Sequence, residues 1–185
     1  MRFVFYTHSL VSDWNHGNAH FQRGVMRELI ARGHRAEALE PADGWSRSSL
    51  RADQGPAAEA AFHRTFSGLI SRSYGPHFDH GAALDGADVV IVHEWTAPSL
   101  VQRLGELRRE LGFTLLFHDT HHRAVSSGAE IDELALENYD GVLAFGEALR
   151  ERYLTRGRTA RVFTWHEAAD TRLFRPHPET VPSAT

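Results

Sequence analysis

Short apolar runs alternate with longer amphipathic ones along the whole chain. Residues 2–7 (RFVFYT) are apolar at successive positions, as in a strand covered on both faces. After a polar loop from His8 to about Asn18, the apolar residues Phe21, Val25, Leu29 and Ile30 recur at helical spacing between His20 and Arg32. Gly33 supplies the positive φ that closes such a helix, and His34–Leu39 reads as the next strand. Residues 41–55 (PADGWSRSSLRADQG) show no period and read as a loop. Pro56 suits a first helical position and predicts a helix to about Arg72. The stretch SYGPHFDHG is irregular, with a short helix expected before Gly86.

The second half is clearer. Ala87–His93 (ADVVIVH) has the strongest strand character in the chain. A helix over about Pro98–Leu111 follows, ended by Gly112, and Phe113–Phe117 is a further strand. A short helix at about 131–138, a strand at 141–145, a helix at 147–156 and a strand at 161–165 complete the pattern. Six strands and six helices in alternation predict an α/β fold: a doubly wound, mainly parallel Rossmann-like sheet with helices on both faces. One domain is expected over 1–176, with a Pro/Ser/Thr tail at 177–185.

In such a sheet ligands bind beyond the carboxyl ends of the strands. The loops leaving those ends hold most of the unusual side chains: Asn15, His16, Gly17 and Asn18; Glu94 and Trp95; His118, Asp119, His121, His122 and Arg123; and His166 with Glu167. The first loop has Gly17 but not the GxGxxG spacing of a dinucleotide site, which argues against a nicotinamide or flavin cofactor. Asn18 is either a helix cap alone or a cap that also meets a ligand. Residues 118–122 (HDTHH) are a metal centre, a cluster of polar substrate contacts, or exposed histidines without a role; no HxH or HExxH spacing supports the first. Glu94 is a helix-capping carboxylate or a ligand contact, Trp95 a packed ring or a sugar-stacking face, and His8 a satisfied core histidine or another rim group.

Composition narrows the chemistry. With no cysteine and no lysine among the 185 residues, thiol nucleophiles, cysteine-based metal sites, Schiff bases and Walker-type phosphate loops are excluded. The formal charge is −4, with 13 histidines as the surplus type; mild acidity argues against nucleic-acid binding. The apolar run Phe3–Tyr6 is too short for a signal peptide, and no stretch approaches the ~20 apolar residues of a membrane span. The expected compartment is the cytoplasm.

Four segments resemble the N-terminal domain of GT-B glycosyltransferases. Glu28-Leu-Ile-Ala-Arg-Gly-His34 is similar to the family's first helix end, and Val90-Ile-Val-His-Glu-Trp95 to its strand ending in a His-acidic-Trp turn. Leu116-Phe-His-Asp-Thr-His121 resembles its strand end in His-Asp, and Glu167-Ala-Ala-Asp-Thr-Arg-Leu-Phe-Arg-Pro176 the segment leading into the second domain. The resemblance runs from Met1 to Pro176 and points to bacterial family-four-like and spore-maturation-type enzymes. It implies an acceptor-binding half, with the C-terminal donor-binding domain absent from this chain and the isolated chain inactive. The implied reaction is metal-independent, retaining transfer from a nucleoside-diphosphate sugar to a small-molecule or glycan acceptor, with no cofactor. His118 matches the histidine that reaches the donor sugar, and Asp119 would orient it or contact the acceptor. Asn15–Asn18 match the acceptor loop, with one glycine instead of two adjacent ones. Glu94, Trp95, His121, His122 and Arg123 become acceptor contacts. The rival readings are a metallohydrolase centred on His118, Asp119, His121 and His122, and a non-catalytic sugar- or nucleotide-binding module.

Overall fold

A computed structural model describes residues 1–14, 17–121, 128–157 and 161–176. Its strands are β1 (Arg2–Tyr6), β2 (Arg35–Pro41), β3 (Ile70–Tyr74), β4 (Val89–His93), β5 (Thr114–Asp119), β6 (Gly141–Ala144) and β7 (Val162–Thr164). Among the described residues the helices are α1 (Asn18–Ala31), α2 (Trp45–Gln54), α3 (Ala57–Thr65), α4 (His80–Leu84), α5 (Pro98–Leu111), α6 (Gly128–Asp132) and α7 (Glu147–Arg156), with a 3₁₀ turn at Leu136–Asn138.

The seven strands form one sheet in the order β3-β2-β1-β4-β5-β6-β7, and every pairing is parallel. The chain therefore runs outward from β1 to β3, returns at β4, and runs outward the other way to β7. The switch lies between β1 and β4, where the crossover loops part and leave a crevice.

Strand alternation supplies both cores. Val4, Tyr6, Val90, Val92, Leu115 and Phe117 pack on one face against Val101, Leu104 and Leu107 of α5 and Leu149 and Tyr153 of α7. Phe5, Val89 and Ile91 pack on the other against Met26 of α1 and Phe62 and Phe66 at the end of α3. Each fully buried Leu or Phe here is worth roughly 1.5–3 kcal/mol. Covering both faces is what makes the central strands continuous apolar runs. Gly112 ends α5 in the left-handed region, at φ 78°, as its position after the last apolar repeat requires.

Three elements differ from expectation. Residues 45–54 are helical rather than a loop. Helix α2 buries only Ser46 and Leu50, too thin an apolar stripe to read, and is tied to α3 by Arg47 and Arg51 on Glu59. The helix expected to Arg72 stops at Thr65, and the polar segment Ile70–Tyr74 becomes the seventh strand. That strand is at the sheet edge and pairs only with β2, so it needs no apolar run; Ser71 donates to Glu40 and Arg72 pairs with Glu37. The helix expected over 131–138 is broken at Ala135, which sits at φ 53° and separates α6 from the 3₁₀ turn.

Beyond β7 the chain turns back across α1. Arg27 donates to Asp170 at 2.8 Å, and Phe174 meets His20 edge-on at 5.2 Å. The tail expected at 177–185 lies outside the described residues.

Candidate functional site

The carboxyl ends of β1, β4, β5 and β7 place the polar residues of four turns on one rim. His93 and His118 are register partners on adjacent strands, with ring centroids 5.7 Å apart. Side chains alternate along β5, so His118 faces α1 and Asp119 faces α7. The contacts show this directly. His118 packs against Trp165 at 4.8 Å and Phe21 at 6.0 Å, whereas Asp119 Oδ2 accepts from the Tyr153 hydroxyl at 2.6 Å.

Glu94 is the hub. Its side chain is fully buried, and Oε1 accepts from the Thr120 amide and hydroxyl, both at 2.9 Å, and from His121 Nδ1 at 2.8 Å. The His121 amide donates to Asp119 Oδ1 at 3.1 Å, so the turn after β5 is held from two carboxylates at once. Burial, then the nearby Glu94 charge, pushes the Asp119 carboxyl up to about 7. Burial alone pushes the His118 imidazole down to about 3, which keeps it neutral at any working pH. His118 is 4 % exposed, and its Nε2 finds no hydrogen-bond partner among the described residues; Oδ1 of Asn18 is in the same condition.

The helix-capping readings do not hold for Asn18 or Glu94. Gly17 is the N-cap of α1, and Asn18 is the first helical residue, its Nδ2 donating across the rim to Glu167 Oε1. Helix α5 is capped at Ala97, and Glu94 serves the β5 turn instead. Glu167 is pushed upward by burial and feels both Glu94 and His121, which ties the turn after β7 to the same cluster. Trp95 is 50 % exposed with its ring 5.9 Å from His121, so it is not a core aromatic. His8 is half-buried, 6.2 Å from Trp45.

Of the residues expected to form a site, Gly17, Asn18, Glu94, Trp95, His118, Asp119 and His121 share this rim; Asn15, His16, His122 and Arg123 lie outside the described residues. Glu167 is named with its strand-end turn in the sequence reading but given no role there, and neither Thr120 nor Tyr153 is assigned one. Thr120 follows β5 directly and Glu167 lies three residues beyond β7, both findable by position, whereas Tyr153 projects from a helix with no local signal. Among the described residues no group of three or more His, Asp or Glu is placed to share a metal ion. His118 and Asp119 point to opposite faces of the sheet. Among the described residues, no helix is long and apolar enough to cross a membrane.

No protein-family model matches the sequence, and no curated protein matches it. Among solved structures the chain is similar to MurG of Acinetobacter baumannii, at 12 % identity and a TM-score of 0.43. The alignment covers 80 % of this chain and 42 % of MurG, so the chain spans less than half of that protein's length. A likeness this loose assigns neither family nor activity.

Proposed function

We propose that this chain is the acceptor-side half of a two-domain GT-B glycosyltransferase, using a nucleoside-diphosphate sugar without a metal ion and with retention at the anomeric carbon. One observation carries the reading: two buried polar atoms, His118 Nε2 and Asn18 Oδ1, lack hydrogen-bond partners among the described residues at the carboxyl edge of a parallel sheet. An orphaned buried polar group costs about 1–3 kcal/mol, and a ligand with hydroxyl groups would supply the missing partners.

In the proposed reaction the anomeric carbon exchanges its diphosphate oxygen for the acceptor's hydroxyl oxygen, and the hydroxyl proton leaves with the nucleoside diphosphate. A neutral His118 suits a hydrogen bond to a donor-sugar hydroxyl better than it suits proton abstraction. Asp119 is a positioning residue: it faces away from His118 and acts by holding the His121 amide. Glu94, Thr120 and His121 form the polar floor at the reacting end of the acceptor site, with Trp95 at its outer side. The donor-binding domain would be contributed by sequence outside this chain.

The test is sugar transfer by the complete polypeptide that carries this domain, offered a panel of nucleoside-diphosphate sugars with and without EDTA. Transfer insensitive to EDTA and reduced ~10²-fold by His118→Ala is the expected result. Metal-dependent hydrolysis, or near-wild-type transfer by the variant, would contradict the assignment.

A further inference from the structure

All four tryptophans of the chain lie at the carboxyl edge of the sheet. Trp14 precedes α1, Trp45 opens α2, Trp95 follows β4 and Trp165 follows β7. Trp14 and Trp45 meet edge-on at 5.1 Å, and Trp45 is 53 % exposed. On the α5 side of the β1–β4 switch, the turns after β2, β3 and β4 enclose a groove of about 480 Å³. Trp95, Tyr74 and Leu100 give it apolar walls; Asp43, His80 and Ser99 give it polar groups. Tyr74 meets His80 edge-on at 5.3 Å, and His80 Nδ1 lies 2.8 Å from the Tyr6 hydroxyl, so the far wall is held by the sheet itself.

The charge of the groove selects its occupant. This chain carries 20 arginines, yet none is among the groove's described lining residues, and its one formal charge there is the Asp43 carboxylate. The groove along α1, by contrast, is lined by Arg27, Arg32 and Arg172. An anionic ligand would meet a carboxylate with no arginine among the residues that line the groove. A sugar ring suits the geometry: its C–H face is attracted to the negative face of an indole, while its hydroxyl edge needs polar partners across a narrow gap. An amine on that ring would gain from both the indole and the carboxylate.

We infer that this groove is the acceptor subsite and takes a pyranose ring without phosphate or carboxylate groups, laid on Trp95 with its hydroxyls toward Asp43, His80 and Ser99. The word acceptor rests on the glycosyltransferase reading above; the binding of such a ring does not.

Saturation-transfer NMR on the 185-residue chain tests this with methyl α-glucoside, glucosamine and glucose 6-phosphate as probes. The first two should receive saturation with affinities on the order of millimolar, and glucose 6-phosphate should not. Trp95→Ala should weaken binding about tenfold. Ser99→Phe fills the groove from an exposed position at the start of α5 and should abolish binding of both probes without unfolding the chain. Preferred binding of glucose 6-phosphate, or no saturation of any probe, would overturn the inference. So would sugar binding that both variants leave intact. None of these results bears on whether the complete enzyme transfers sugar, which the EDTA and His118→Ala assay decides separately.

Discussion

Asp119 and His118 are neighbours in sequence that respond to pH in opposite directions. The Asp119 carboxyl is held up at about 7, so between about 4 and about 7 the folded chain binds more protons there than the unfolded one. Its contribution is therefore full at low pH and is lost as pH rises through that window. His118, pushed down to about 3, contributes stability that is present above its ordinary value of 6.5 and is lost as pH falls toward 3. In Asp119→Asn only the histidine slope of the two remains. The urea midpoint of the variant, relative to wild type, should climb steadily as pH rises from about 4 to about 7. A pH-independent difference would show that Asp119 is not buried as described. Tyr153→Phe removes the hydroxyl that donates to Asp119 at 2.6 Å; it should cost about 1–3 kcal/mol in urea denaturation.

At the scale of elements, α1 does more than cover one face of the sheet. Its Arg23 is buried, donates to the carbonyls of Leu10 and Val11 and to Asp13, and stacks over Phe62 and Phe66. The β1–α1 loop is thus pinned by the helix that follows it. Arg23→Met keeps much of the packing but orphans both carbonyls, and should cost roughly 2–4 kcal/mol while accelerating amide hydrogen exchange over residues 8–12. Unchanged exchange there would mean that the loop is held by other contacts. The same contrast explains which elements the sequence disclosed. Strands β1, β4 and β5 are buried on both faces, so their apolar runs announce them. Strand β3 is polar because it is an edge, and α2 packs only Ser46 and Leu50 inward while Glu59 on the next helix ties down its two arginines. Neither cause is local, so neither could be read from spacing.

Across the whole molecule, the rim was legible because a parallel sheet fixes where strand ends point. Reading off the residues after each apolar run placed Glu94, His118, Asp119 and His121 together, along with Asn18 at the first helix. The division of labour among them was not legible. That Glu94 braces the β5 turn, that Asp119 answers to Tyr153, and that Asn18 reaches Glu167 all depend on contacts between distant segments. Proton–nitrogen correlation spectra of the ¹⁵N-labelled chain, recorded during titration with a simple glycoside, locate the binding surface most directly. The amides of Asp43, His80, Trp95 and Ser99 around the groove should shift together with those of Glu94 and His121 beside Trp95, all at the carboxyl ends of the strands. Shifts gathered instead around Arg2, His34 and Arg35, at the amino ends where a separate groove of about 450 Å³ opens, would contradict the placement of the site.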